Sequence, residues 1–161
     1  MFSTIAQMIV QRDGKDKGDE VASHMVERIL LLEGVTMFAG AEIDDITAVA
    51  QICGEKKVAG SAVVFEEGAA GEEMYVVSKG EVVLERGGRE VMRFAAGDSF
   101  GHVSVLDRGP RPATAKAGEK GAELLVIDRQ HFMDLVTDRP ELLHGLFKVL
   151  TKRVRDLLED V

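Results

Sequence analysis

Apolar residues recur at two different spacings along this chain, and the change of spacing divides it into three stretches. Up to residue 53 the spacing is helical. Phe2, Ile5, Ala6 and Ile9 fall on one face of a short amphipathic helix. Residues 11–19 alternate in charge, contain Gly14 and Gly18 and lack an apolar anchor, which predicts a flexible linker. Helical spacing resumes from Asp19, an available N-cap, with Val21, Met25, Ile29 and Leu32 inward, and Gly34 ends it. A second helix is predicted over 42–53, with Ile43, Ile46, Val49, Ala50 and Cys53 inward.

Between residues 57 and 128 the pattern becomes short runs rich in Val, Phe, Tyr and Leu, punctuated by glycines. Strands are predicted over 62–65, 74–78, 82–85, 90–94, 114–117 and 123–127, with a tight hairpin at Arg86-Gly87-Gly88-Arg89. So many short strands argue for a sandwich or barrel. Asp128 then caps a helix over 129–136 that presents Phe132, Leu135 and Val136, and Thr137-Asp138-Arg139-Pro140 breaks and restarts the chain. The last helix, 140–160, places Leu143, Phe147, Leu150, Val154, Leu157 and Val161 at alternating steps of four and three, a heptad seam. Leu142, Leu146 and Leu158 widen the stripe enough to cover the strands and also pair with a second helix. A homodimer through this helix is expected. The chain divides into 1–18, a short helix and linker, and 19–161, one domain with its β-region at about 57–128 and its C-terminal helices at 129–161.

Composition narrows the picture. At 161 residues and 45% hydrophobic the chain suits one soluble domain with a proper core. A net charge of −8 argues against nucleic acid as a partner, since such binding neutralises phosphates with Lys and Arg. The single Cys53, in an apolar helical pattern, reads as a small buried residue and not as a nucleophile. No leader pattern and no run of 18 apolar residues is present, so neither membrane nor export is expected and the location reads as cytoplasmic.

The stretch from Gly97 to Thr114, Gly97-Asp98-Ser99-Phe100-Gly101-His102-Val103-Ser104-Val105-Leu106-Asp107-Arg108-Gly109-Pro110-Arg111-Pro112-Ala113-Thr114, combines turn glycines, small residues and a lone arginine. One reading is a phosphate cradle: Gly101 lets backbone approach a ligand, local N–H groups face an anion, and Arg111 supplies a planar charged fork. The other is a glycine-bounded loop between strands with a surface arginine.

These residues resemble a family. Cyclic-nucleotide-binding domains, found in bacterial catabolite-type regulators, protein kinase regulatory subunits and gated channels, carry F-G-E-L-A-L, a short turn, then P-R-A-A-T or P-R-A-A-S. This chain reads F-G-H-V-S-V, four residues, then P-R-P-A-T. Upstream, Phe65-Glu66-Glu67-Gly68, Gly71, Met74-Tyr75-Val76-Val77 and Lys79-Gly80-Glu81-Val82 match the family's spacing, so the resemblance runs from about Glu33 to Val161. It implies an α+β, mainly β fold: an antiparallel β-roll with N-terminal helices and a C-terminal helical segment. It also implies that Phe100, Gly101, His102, Val103, Ser104, Arg111, Pro112, Ala113 and Thr114 line the ligand site. The ligand would be a cyclic nucleotide of the cAMP or cGMP type, with no cofactor or metal. The helix carrying Leu143, Phe147, Leu150, Val154 and Leu157 would be the one that dimerises in bacterial regulators and moves over the base.

Two positions depart from the family. His102 stands where a glutamate accepts from the ribose 2′-hydroxyl, and Pro112 stands where a small residue donates its N–H to the cyclic phosphate. Losing two such contacts weakens an ordinary cyclic nucleotide by about 3 to 6 kcal/mol, if they add. Proline has no N–H to give, whereas neutral His102 still has a ring nitrogen to accept with. Protonation of His102 between pH 5 and 8 would favour an anion but remove that acceptor. Two non-enzymatic readings therefore stand side by side: a sensor of a cyclic nucleotide or another small anion that signals through partner proteins, and a β-roll that has abandoned the ligand and serves as a dimeric scaffold. No helix-turn-helix follows the last helix, so promoter contact is not expected. No paired histidines or nucleophile-and-base set suggests an enzyme: His24, His131 and His144 lie on predicted helices, far apart.

Overall fold

The structure, a computed structural model, describes residues 17–159. The helix expected at the N-terminus and residues 11–16 of the linker lie outside the described residues, as does Val161 of the seam. In chain order the elements are α1 (Lys17–Glu33), a 3-10 turn (Thr36–Phe38), α2 (Ile43–Ile52), β1 (Gly54–Val58), β2 (Val63–Phe65), β3 (Glu73–Arg86), β4 (Arg89–Ala95), β5 (Ser99–Phe100), α3 (His102–Asp107), β6 (Thr114–Asp128), α4 (Arg129–Asp138) and α5 (Leu142–Glu159). The six strands form one antiparallel sheet in the order β1-β6-β3-β4, with β2 on β6 and β5 on β3. This is the expected α+β arrangement, a β-roll flanked by helices.

The long strands β3 and β6 pair from Glu73 opposite Asp128 to Glu85 opposite Thr114. Successive side chains on a strand point to opposite faces, and here both faces are covered. Met74 and Val76 of β3, with Leu125 and Ile127 of β6, join the helical core of Leu32, Phe38, Val49, Phe132 and Leu146. Tyr75 and Val77, with Leu124, point the other way into the roll, against Phe94, Phe100 and Ala115. The ladder is thus the wall between two cores.

Several boundaries move. The strands expected at 74–78 and 82–85 are one strand, as are those at 114–117 and 123–127. Gly80 and Gly121 are bends inside these strands where the backbones touch: a Cβ on Gly80 would lie 2.2 Å from the Gly121 carbonyl oxygen. Strand β1 escapes the hydrophobic pattern because Gly54 to Lys57 are all exposed, and it forms by pairing with β6. Helix α1 starts at Lys17, so Asp19 lies within it and not at its cap. Ile43, at the first position of α2, is exposed. Asp128 does cap α4, its side chain accepting from the His131 amide at 3.1 Å. Cys53 is buried, and burial pushes its thiol up to about 12, as befits a packing residue.

Helix α5 meets the 3-10 turn through Gly145, where a Cβ would sit 1.6 Å from the Met37 carbonyl oxygen. Replacing glycine by alanine inside a helix ordinarily gains about 1 kcal/mol. Here the overlap with fixed backbone outweighs that gain. Gly145→Ala is expected to destabilise the fold by about 1–3 kcal/mol, read as a lower denaturation midpoint at unchanged slope. An unchanged midpoint would show that α5 does not seat on the turn this closely.

Candidate functional site

The expected loop after β5 contains a helix of one and a half turns. Gly101 precedes it with φ 84°, a left-handed conformation open chiefly to glycine. A Cβ there would also meet Arg111 Nη1 at 3.0 Å and the Glu73 carbonyl oxygen at 3.2 Å. Arg111 is therefore not a surface arginine. Its Nη1 donates to the Gly101 carbonyl at 3.0 Å and its Nη2 to the Glu73 carbonyl at 2.6 Å. The guanidinium carbon stands 4.0 Å from the centroid of the Phe65 ring. Backbone bonds from Gly68 N–H to the Arg111 carbonyl and from Arg111 N–H to the Ala69 carbonyl, both 2.8 Å, close the preceding loop over it.

Two polar atoms in this nest have no partner: Arg111 Nε and Ser104 Oγ, both buried. The two side chains both border Gly71, where a Cβ would lie 2.4 Å from Ser104 Cβ and 2.7 Å from Arg111 Nε. Arg111 has neutral hydrogen-bond partners, and burial lowers its pKa from the ordinary arginine value. It keeps its charge all the same. The arrangement is a buried cation with a free N–H beside a free hydroxyl, which suits an anion.

His102 turns away from that spot. It is buried, with Nε2 3.0 Å from Ser99 Oγ and Nδ1 2.9 Å from Nη1 of Arg153 on α5. Arginine only donates, so Nδ1 carries the lone pair and Nε2 the proton, donated to Ser99. Arg153 Nη2 also donates to the Ser99 carbonyl. Its guanidinium carbon is 5.1 Å from the Phe94 ring centroid.

Of the residues expected to line the site, Gly101, Ser104 and Arg111 come together. Phe100 is part of the roll interior, 5.1 Å from Tyr75 and 5.3 Å from Phe94 between ring centroids. Val103 and Pro112 are exposed, Ala113 is buried, and Thr114 Oγ1 accepts from the Glu67 amide at 3.0 Å. Sequence reasoning missed Arg153 and Ser99. Arg153 carried no signal, being one of several charges on an amphipathic helix.

Residues 55–139 match the profile of the cyclic nucleotide-binding domain. The chain belongs to that family. Rap guanine nucleotide exchange factor 1 of Caenorhabditis elegans is 27% identical over 98% of this chain but only 14% of its own length. The cyclic AMP receptor protein of Thermus thermophilus is 36% identical over 58% of this chain and 45% of its own. The crystal structure of the Thermus thermophilus catabolite activator protein superposes with a TM-score of 0.71 at 27% identity, over 78% of this chain and 61% of that one. This domain thus spans less than two thirds of each relative. Among the described residues no helix is long and apolar enough to cross a membrane.

The cassette histidine, His102, is not the pH gate its position suggested. Burial, with Arg153 beside it, lowers its pKa from 6.5 to about 3, so it stays neutral from pH 5 to 8. Between pH 6.5 and about 3 the unfolded chain binds a proton on His102 that the folded chain refuses. Stability from this group is therefore complete above 6.5 and lost as pH falls through the window. His102→Gln keeps an acceptor for Arg153 and removes the titration. Wild-type unfolding free energy should fall relative to the variant by up to about 1.4 kcal/mol per pH unit. Parallel curves would place the histidine in contact with water.

Proposed function

We propose that this domain is a non-enzymatic regulatory module that senses a cyclic nucleotide of the cAMP or cGMP type and reports occupancy through α5 to a protein partner or a second copy. The observation that carries this reading is the pair of unpartnered buried atoms, Arg111 Nε and Ser104 Oγ, on side chains that both border Gly71. Burying such groups without a partner costs about 1–3 kcal/mol each, and an anionic oxygen between them would remove that cost. Relatives named for cyclic AMP support the ligand class. Arg111 and Ser104 are 3% and 1% exposed, so the covering backbone must shift to admit a ligand. A degenerate scaffold is the second reading, favoured by Pro112, which has no N–H to offer, and by His102, whose ring nitrogens are both engaged.

The proposed dimer rests on α5. The seam divides: Leu143 and Leu150 pack against the helical core, as do the flanking Leu142 and Leu146. Phe147, Val154, Leu157 and Leu158 are each more than half exposed and form an apolar stripe suited to a second α5.

Calorimetric titration with cyclic AMP and cyclic GMP tests the sensor. Wild type should bind one of them. Ser104→Ala should bind it about two- to tenfold more weakly while holding or raising the denaturation midpoint, because it removes a buried hydroxyl without a partner. No heat with either nucleotide would sink the sensor reading. Sedimentation tests the dimer: wild type should run as a dimer and Leu157→Glu as a monomer, and a monomeric wild type would refute it.

A further inference from the structure

Helix α5 changes character at Leu150. Before it, Leu142, Gly145, Leu146 and Val149 are buried on the helical core. After it, among the described residues Thr151 to Glu159, Arg153 alone is not exposed. The last two turns and more of the helix are therefore fastened by one side chain. Its guanidinium donates to His102 Nδ1 and to the Ser99 carbonyl and lies over Phe94.

We infer that Arg153 is an internal latch, which holds the end of α5 closed against the cassette by occupying the acceptors that a ligand hydroxyl would otherwise use. The argument is one of valence. His102 offers one lone pair, at Nδ1, and Arg153 takes it. The Nε2 proton goes to Ser99 Oγ. Nothing on the ring remains for a sugar hydroxyl while the latch is shut. The latch is also easily released. Its acceptors and the aromatic face are neutral, and Arg153 forms no ion pair among the described residues. Asp98, whose charge favours the guanidinium, instead accepts from the Ala95 amide through Oδ2 at 2.9 Å. Opening returns the guanidinium to water and frees His102 and Ser99 together. Because the fastening is a single point, one contact decides whether the end of α5 is held against the cassette. The competition rests on the cassette being the ligand site; the latch itself does not.

Hydrogen exchange on the full chain tests the latch, comparing wild type with Arg153→Met, which keeps an apolar stem and loses every donor. Amides from Val154 to Glu159 should exchange about ten- to a hundredfold faster in the variant, the loss corresponding to charge-assisted hydrogen bonds. Those of β3 and β6 should not change. The same pair in a Leu157→Glu background removes protection by a second copy. Unchanged exchange there overturns the latch. Cyclic AMP titration tests the competition: Arg153→Met should bind severalfold more tightly. Equal or weaker binding overturns the competition, weaker binding making Arg153 a ligand contact. Should neither protein bind cyclic AMP, the competition falls with the sensor reading, and exchange alone decides the latch.

Discussion

The pairing of β3 with β6 has to separate two apolar cores, and both strands meet that demand by carrying apolar residues on both faces. Met74 and Val76 feed the helical core while Tyr75 and Val77 feed the roll. A one-residue slip would exchange the two sets and place Tyr75 among the helices. The bends at Gly80 and Gly121 let the ladder continue where backbones approach too closely for any side chain. The rest of the site inherits its position from this wall. The Glu73 carbonyl at the start of β3 accepts from Arg111, and β5, which delivers the cassette, pairs with Tyr75 and Val76.

Two guanidinium groups sit at this end of the roll, each among neutral hydrogen-bond partners. Arg111 rests on carbonyls and the Phe65 face, Arg153 on a carbonyl, a neutral histidine and the Phe94 face. Removing a charge from water is costly unless something compensates, and carbonyls with aromatic faces compensate only in part. In a chain of net charge −8, carboxylates act on both: Glu73 and Glu72 on Arg111, and Asp98 on Arg153. Attraction between charges is also stronger there than at a wet surface.

The substitution of histidine into the cassette connects these two cations. A carboxylate at that place would have bound Arg153 as an ion pair. The neutral imidazole instead holds it through one lone pair, with its tautomer set by Arg153 on one side and Ser99 on the other. His102 thereby ties the cassette to the helix.

What the sequence by itself determined was the family and most of the element order, because alternation, glycine punctuation and the F-G-H-V-S-V and P-R-P-A-T spacing are local patterns. It also marked Gly101, Ser104 and Arg111, which the structure brings together and which stand out for backbone conformation, a small hydroxyl and a permanent charge. Tertiary structure decided the remainder. Strand β1 has no hydrophobic period of its own and exists only by pairing with β6. The seam of α5 divides into Leu143 and Leu150, which pack inward, and Phe147, Val154 and Leu157, which do not, because Gly145 fixes how the helix lies on the 3-10 turn. The partner of His102 lies 51 residues away in sequence. No local pattern encodes which of several helix charges will meet a buried ring, since that depends on the angle at which a packed helix crosses the roll.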